Sequence, residues 1–296
     1  MSCALLARCS GVASVSAKDV RFHSRGGVFR HAYPAPELGE EDNYHCAVFT
    51  EPAVGQYSFS STHLILGGDP KALYKYDLVK TEEAPMKLDM PHGTKVMDCG
   101  RFLACGGLDG KLSLLDPSLR KKKVEHSFEA HSGCVVDIAA KNDYLVTCGL
   151  ASRSINPYDK SAPTQLIPDS FIKVFDLRMM RQVAPMAFHG GQRAGPALLT
   201  FLPHFTAQLI AVASTGQLTV CDVSNPTMMG SFAQVECDQL TSLSLSSNGD
   251  LIAFGSMDGA VMQWGENEGV PINPQSPPTT MPVMRQPQRP IHPADH

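Results

Sequence analysis

The stretch Phe102-Leu-Ala-Cys-Gly-Gly-Leu-Asp-Gly-Lys-Leu-Ser-Leu-Leu-Asp-Pro117 is the part of the chain that decides the fold. It reads as an apolar strand, a turn at Asp109-Gly110 and a second apolar strand. Glycine supplies the positive φ angle that a tight hairpin turn needs. Apolar residues on both sides of the turn indicate strands that are buried between other layers. The stretch therefore predicts a β-hairpin inside an all-β protein.

The same pattern recurs along the chain at intervals of 39, 60, 46 and 43 residues. The long interval contains an insertion between Leu150 and Ser170, and the remainder is close to the other intervals. A repeat of about 40–45 residues that closes on an aromatic-Asp pair is typical of WD-type β-propellers. The strands that close the repeats end at Asp77, Asp116, Asp176, Asp222 and Gly265.

The repeat predicts three regions. We expect an all-β, WD-type β-propeller over residues 22–266, with five clear blades and room for a partial sixth. Residues 1–21 are expected to be an unplaced or disordered leader. Residues 267–296 contain eight prolines and are expected to form a disordered linker.

Composition excludes several function classes. The net charge is −4, from 25 basic and 29 acidic residues, so the basic footprint of a dedicated nucleic-acid binder is absent. The longest apolar runs, such as Leu209–Ala213, have the length of a strand, and no membrane-spanning helix is predicted. Nine cysteines lie at irregular spacing without a Cys-x-x-Cys pair. This argues against a disulfide framework or a zinc site, and no cofactor is expected.

A histidine followed by an aspartate stands between repeats, as His92 with Asp98 and His131 with Asp137. One interpretation is a catalytic or metal-binding histidine. The other, which we favour because the pair recurs with the repeat, is a hydrogen-bond network that stabilises the blades. A structural role is also predicted for Asp116, Asp222 and Trp264.

The stretch Phe171-Ile-Lys-Val-Phe-Asp-Leu-Arg-Met-Met-Arg181 carries a more specific resemblance. The run Arg-Met-Met-Arg follows the aromatic-Asp closure, and Lys123-Val-Glu-His-Ser-Phe-Glu-Ala130, Phe201-Leu-Pro203 and Leu251-Ile-Ala-Phe-Gly255 occur with it. From about residue 22 to residue 274, the chain resembles the N-terminal WD-repeat domain of the large subunit of the PAN poly(A)-nuclease deadenylase complex.

That resemblance implies a function as well as a fold. The family's large subunit has a seven-bladed ring, a linker, an inactive ubiquitin-hydrolase-like domain and a 3′-exonuclease. Because Phe22-His-Ser-Arg-Gly-Gly-Val28 resembles a segment well inside the family's ring, we expect one or two blades to be lacking in front. The implied role is a non-catalytic platform in poly(A)-tail shortening. The implied partners are a pseudokinase-like regulatory subunit and poly(A)-binding protein on poly(A) RNA. The implied location is cytoplasmic, in P-bodies, with a nuclear location left open.

Catalytic and metal-binding residues are not predicted for this chain. An exonuclease of that type holds two metal ions with carboxylates, starting from an Asp-x-Glu pair. No aspartate of the sequence is followed by glutamate two residues later. A nucleophilic serine or cysteine needs a base nearby, which sequence cannot show. The chain itself is therefore expected not to be an enzyme.

Three features are candidates for binding. The basic run, made of Arg120, Lys121, Lys122 and Lys123, suits RNA phosphates or an import signal, and a solvated loop is its plain interpretation. The inserted loop Ala151–Asp169 is a candidate because long loops often carry contacts. The third feature comprises Asp176, Arg178, Met179, Met180 and Arg181.

The Asp176-Leu-Arg178 part of this third feature leaves an alternative function open. It also resembles the Asp-x-Arg box of WD-repeat substrate receptors in cullin ubiquitin ligases. Ordinary closure of a blade is its structural explanation. The alternative function is thus a generic WD-repeat scaffold, such as a cullin ubiquitin-ligase substrate receptor.

Overall fold

The computed structural model describes residues 4–8, 11–16, 19–24, 28–34, 42–50, 63–78, 83–117, 119, 123–155, 164–189, 194–246 and 248–265. Within these ranges the chain forms antiparallel β-strands, which are grouped in six sheets. No helix in the described part is long and apolar enough to cross a membrane.

Each sheet is one blade, and blades 1–6 follow the order of the chain. Blade 1 contains β1 (Ala4–Arg8), β2 (Gly11–Val15), β3 (Asp19–Ser24) and β4 (Phe29–Pro34). Blade 2 contains β5 (Tyr44–Thr50), β6 (His63–Gly68), β7 (Ala72–Asp77) and β8 (Met86–Asp89). Blade 3 contains β9 (Thr94–Cys99), β10 (Leu103–Gly107), β11 (Lys111–Leu115) and β12 (His126–Glu129). Blade 4 contains β13 (Val135–Lys141), β14 (Tyr144–Ser154), β15 (Thr164–Pro168), β16 (Phe171–Asp176), β17 (Arg181–Gln182) and β18 (Met186–Ala187). Blade 5 contains β19 (Pro196–Phe201), β20 (Gln208–Ala213), β21 (Gln217–Asp222) and β22 (Ser231–Gln234). Blade 6 contains β23 (Leu240–Leu245), β24 (Leu251–Ser256) and β25 (Val261–Gly265).

The six blades form a β-propeller, as the repeat predicts. Neighbouring strands are consecutive in the chain in every blade except blade 4, where β14 pairs with β16 as well as with β15, and β16 pairs with β18 as well as with β17. The first strands of successive blades pack against one another, from β1 through β5, β9, β13 and β19 to β23. The first strand of each blade therefore lies innermost. The first described strand starts at Ala4, so the expected boundary at residue 22 is wrong: the supposed leader contains β1, β2 and the start of β3. Residues 266–296 lie outside the described ranges, and the linker stays a prediction.

The core consists of apolar layers between successive blades. Between blades 4 and 5, for example, Val146 and Ile172 pack with Leu209 and Ala211, and all four are buried. Similar clusters join each of the other consecutive pairs of blades. Burying one such side chain contributes about 1.5–3 kcal/mol. This two-sided burial explains why the central strands read as nearly continuous apolar runs.

Alternating connections give the propeller two distinct ends. The turns between second and third strands lie at the same end as the connections from one blade to the next. This end carries His92 and His131, and we call it the histidine end. The turns between first and second strands, and between third and fourth strands, lie at the other end. This end carries Arg101 and Arg178, and we call it the arginine end.

Candidate functional site

A buried hydrogen-bond network joins three segments at the histidine end of blade 4. A carboxylate can only accept, so His131 Nδ1–H donates to Asp169 Oδ2 at 3.0 Å, and the Thr147 hydroxyl donates to Nε2 at 3.1 Å. The His131 side chain has no exposed surface. Burial raises the pKa of Asp169, but the hydrogen bond from His131 and the other polar neighbours outweigh burial, and the net pKa is lowered. A fully buried imidazole offers no atom to a substrate, so this network holds blade 4 together.

Blade 3 has a corresponding network around His92. Its Nδ1–H group donates to the Gly93 carbonyl at 3.1 Å, and Nε2 is 2.7 Å from the Ser113 hydroxyl. His92 and Ser113 are both buried. No group of three or more His, Cys, Asp or Glu side chains in the described ranges is arranged to hold a metal ion.

The aspartates that follow these histidines in sequence bond to other groups, which are backbone amides of the next blade. Asp98 accepts the Ala140 amide at 2.7 Å, and Asp137 accepts the Leu199 amide at 2.7 Å. Each carboxylate therefore links the innermost strand of its own blade to that of the next blade. Burial raises the pKa of both carboxyls, and that of Asp137 rises to about 7.

The closing residues of the repeats hold turns. Asp176 Oδ1 accepts the Arg178 amide at 2.8 Å, and Asp222 Oδ1 accepts the Ser224 amide at 2.8 Å. Both carboxylates thus cap the turn that follows the third strand of the blade. Leu119 donates its amide to the Asp116 carbonyl at 2.8 Å in the corresponding turn of blade 3. Trp264 lies edge-on to Phe254 with ring centroids 5.2 Å apart.

A chain of ion pairs crosses the arginine end from blade 3 to blade 4. Arg101 Nη1 lies 2.7 Å from Asp143 Oδ1, and Arg178 Nε lies 3.9 Å from Asp143 Oδ2. Arg178 also contacts Asp176 Oδ2 at 3.1 Å through Nη2, and this hydrogen bond lowers the pKa of Asp176. Both arginines are more than half exposed. Such pairs contribute at most about 1 kcal/mol each, so the arginines remain available to a partner.

The Arg-Met-Met-Arg run divides between core and surface. Met180 has a φ angle of +47° and packs against the apolar layer between blades 3 and 4. Met179 is 55% exposed, and Arg181 is exposed on β17. Arg178, Met179 and Arg181 together form the arginine-end surface of blade 4.

The basic run lies in the connection between β11 and β12, which is also at the arginine end. Lys123 is exposed there. Arg120, Lys121 and Lys122 lie outside the described residues, so the structure gives no geometry for them. The basic run on blade 3 and the arginine-end surface of blade 4 therefore belong to the same end of the propeller, on adjacent blades.

The inserted loop is in large part a β-ribbon at the histidine end. β14 continues past β13 and pairs with β15, from Leu150 opposite Pro168 to Ser154 opposite Thr164. Ile155 and Leu166 are exposed on it. Residues 156–163 at its tip lie outside the described ranges.

Sequence reasoning missed residues that act only through tertiary contacts. Lys141 donates its ammonium group to the carbonyls of Pro203 at 2.7 Å and Phe205 at 2.8 Å, and so fixes a loop of blade 5. Asp143 and Asp169 act across blades or loops as described above. No local pattern marks these residues, because the partners described above are 35 or more positions away.

The comparisons with known proteins agree with this architecture. The family model described as PAN2 N-terminal matches residues 6–265. This chain belongs to the PAN2 N-terminal family. The resemblance inferred from the repeats and from Phe171–Arg181 is confirmed.

Curated relatives of the PAN2 N-terminal family extend far beyond this chain. The human "PAN2-PAN3 deadenylation complex catalytic subunit PAN2" is 30% identical over 271 residues, which are 90% of this chain and 20% of the human protein. The relative of the same name from Aspergillus clavatus is 27% identical over 266 residues, or 90% of this chain and 21% of its own. The chain thus spans about a fifth of the length of these relatives.

Solved structures show the same fold. The Neurospora crassa Pan2 WD40 domain superimposes with a TM-score of 0.71 at 21% identity, covering 90% of this chain and 75% of that one. A chain of the mitotic checkpoint complex gives a TM-score of 0.66 at 14% identity, covering 87% and 73% respectively. The chain therefore corresponds to the N-terminal WD40 region of its PAN2 relatives.

Proposed function

We propose that this chain is a protein-binding platform of a complex that shortens mRNA poly(A) tails. The observation that carries the proposal is the PAN2 N-terminal family match over residues 6–265. The named relatives are subunits of the PAN2-PAN3 deadenylation complex. The platform positions a poly(A) ribonucleoprotein and a pseudokinase-like partner subunit. Holding a substrate near a catalytic site raises its effective concentration and needs no chemistry from the platform itself.

The arginine-end surface of blade 4 is the contact surface that we propose. Arg178, Met179 and Arg181 are exposed side by side, and Lys123 stands on the neighbouring blade. Arginine and methionine are enriched in the cores of protein interfaces. Asp176 and Asp143 hold the Arg178 guanidinium in place, which reduces the entropy that it loses on binding.

A pulldown with paired variants tests this surface. The tagged full chain is expected to co-purify the pseudokinase-like subunit and poly(A)-binding protein from cell extract. Met179→Glu is expected to reduce recovery of the subunit at least fivefold, because it places a charge in the contact. Met229→Glu is the matched control: Met229 is 72% exposed in the corresponding turn of blade 5, and recovery should not change.

The same experiment distinguishes the alternative function. Recovery of cullin adaptors instead of deadenylase subunits would replace the proposal with a ubiquitin-ligase substrate receptor. That interpretation rests on Asp176 and Arg178, whose side chains contact each other within the turn. A loss of cullin adaptors in Arg178→Ala would support it.

Two further parts of the proposal have their own measurements. The purified chain is expected to leave a labelled poly(A) RNA intact in the presence of Mg²⁺, because the platform acts by positioning. Shortening of the RNA would contradict this.

A fluorescently tagged chain is expected in the cytoplasm and in P-bodies. A chain found only in the nucleus would contradict the proposed cytoplasmic location.

A further inference from the structure

A cavity of about 440 Å³ lies on the inner side of blades 3, 4 and 5. Its walls come from the C-terminal halves of the innermost strands β9, β13 and β19 and from the loop after β19, which places it at the arginine end. A single water needs only about 10–15 Å³, so the cavity has room for an organic group. Its lining is apolar at Met97, Ile138 and Phe201 and polar at Asp98 and Thr200.

Two carboxylates beside this cavity have no cation as a partner. Asp98 lines it, and Asp137 lies behind it on β13. Each accepts two backbone amides, among them those of Ala140 and Leu199. Among the residues that the structure describes, neither carboxylate forms an ion pair. Lys141 also lines the cavity, but its ammonium group is bound to carbonyls of the loop after β19. Because buried charges in proteins are normally paired, this site calls for a positive charge.

The main chain around the cavity offers acceptors rather than donors. In an antiparallel ladder, the N–H and C=O groups of one residue point to the same side of the strand. The amides of Ile138, Ala140 and Leu199 bond to the aspartates, so they point to the inner side together with the carbonyls of the same residues. The aspartates occupy these inward donors, whereas the inward carbonyl oxygens are left to the cavity. A ligand that fits here has to donate hydrogen bonds.

Lys141 shows which donor suits this kind of surface. Its ammonium group donates to the carbonyl oxygens of Leu202 at 2.5 Å, Pro203 at 2.7 Å and Phe205 at 2.8 Å. The three donors of one ammonium group are thus matched by three main-chain acceptors. The inward carbonyls and the Asp98 carboxylate offer a similar set of acceptors a short distance away, on the inner side of the same blades.

We propose that this cavity binds the side chain of a lysine from a partner protein. The ammonium group donates to the Asp98 carboxylate and to the inward carbonyls, and it supplies the missing positive charge. The methylene stem packs on Met97 and Phe201, which are buried apolar side chains. The cavity lies at the arginine end, where the contact surface of blade 4 is proposed. The choice of a partner protein as the source of the lysine therefore rests on the proposed function, whereas the chemistry of the site does not.

Methyl NMR of the full chain tests the chemistry directly. The probe is N-acetyl-lysine methylamide, and the comparison compound is N-acetyl-norleucine methylamide, which has the same stem without the ammonium group. The lysine probe should shift the methyl signals of Met97 and Ile138 in a saturable way, and the norleucine compound should not. The methyl signal of Met257, which is 72% exposed at the histidine end, should stay unchanged with both.

Two variants and one control locate the site. Asp98→Asn keeps an oxygen for the Ala140 amide and removes the charge, so it should weaken probe binding at least about tenfold. Thr200→Lys places an ammonium group of the chain itself in the cavity and should abolish probe binding. Asp89→Asn is the control, because the Asp89 side chain is 91% exposed on blade 2, and it should bind the probe as the wild type does. The remaining methyl signals show whether each variant is folded.

A second arm tests where the ammonium group comes from. In the pulldown, Thr200→Lys should reduce recovery of the partner, because the cavity is already filled. If the probe binds but Thr200→Lys recovers the partner as the wild type does, a partner's lysine is not the occupant. Spermidine that binds at least tenfold more tightly than the lysine probe would identify a free polyamine instead. If the probe binds while the wild-type chain recovers no deadenylase subunit, the proposed function fails and the ammonium site stands.

Three results would overturn the ammonium site itself. The first is an equal shift of the Met97 and Ile138 signals by the lysine and norleucine compounds. The second is unchanged probe binding in folded Asp98→Asn or in folded Thr200→Lys. The third is the same saturable shift with potassium chloride alone, which would identify a metal ion as the occupant.

Discussion

Asp137 Oδ2 accepts the backbone amide of Leu199 at 2.7 Å and joins the innermost strands of blades 4 and 5. Asp98 makes the equivalent bond to Ala140 between blades 3 and 4. These two carboxylates form a repeated link around the inside of the propeller. The apolar layers between blades give most of the burial, but they carry little directional information. The carboxylate links fix the position of one blade against the next.

We expect Asp137→Ala to destabilise the propeller by about 1–3 kcal/mol, because it leaves the Leu199 amide without an acceptor inside the protein. For a chain of this size, the melting temperature should fall by about 2–4 °C for each kcal/mol. Differential scanning calorimetry measures the change, with Asp250→Ala as an exposed control. A more stable Asp137→Ala protein would show that burying the carboxylate costs more than its hydrogen bonds contribute.

The same carboxyl should make stability depend on pH. Its pKa is about 7 in the folded chain and about 3.9 in an unfolded one, so the folded state binds more protons between these values. The free energy of unfolding that this group contributes therefore falls as the pH rises from about 4 to 7. Urea unfolding at several pH values should show a steeper fall for the wild type than for Asp137→Asn. Equal slopes would mean that Asp137 titrates normally.

His131→Ala should be among the more damaging single substitutions at the histidine end. It removes the donor to Asp169 and leaves the buried Thr147 hydroxyl without its partner. A loss of about 2–3 kcal/mol is expected from these unpaired groups. The exposed His126 is the control, and His126→Ala should change stability by less than about 0.5 kcal/mol. Chemical denaturation of both variants makes the comparison.

The sequence repeat made blades 2–6 predictable. Blade 1 is the exception, and the reason lies in the sequence of its turn. The hairpins of blades 3, 5 and 6 turn on Gly110, Gly216 and Gly259, all at positive φ. Blade 1 has no such glycine at its corresponding turn. There, the Ser16 hydroxyl donates to the Asp19 carboxylate and accepts the Asp19 amide. A search for glycine turns therefore places the start of the fold too late.

The candidate surface was predictable only in part. The run Asp176–Arg181 is recognisable in the sequence by its unusual composition, but its residues have different structural roles. Asp176 holds a turn, Met180 packs into the core, and Arg178 and Met179 face solvent. The partners of His92 and His131 could not be predicted for a related reason: the partner of each histidine depends on which strand lies beside it. Spacing along the chain does not determine that neighbour.

Two glycines with nearly the same backbone angle should respond very differently to alanine. Gly110 has φ +81° and Gly259 has φ +86°, so both pay the strain of a side chain at positive φ, about 1–2 kcal/mol. A Cβ at Gly110 would lie 2.1 Å from the carbonyl oxygens of His131 and Gly133, whereas a Cβ at Gly259 would meet no atom within 4 Å. Gly259→Ala should therefore cost only the backbone strain. Gly110→Ala should cost about 3 kcal/mol or more, because the chain that leads into blade 4 has to move. Thermal unfolding of the two variants decides the point, and equal melting temperatures would mean that blade 4 yields to the added methyl group without loss of packing.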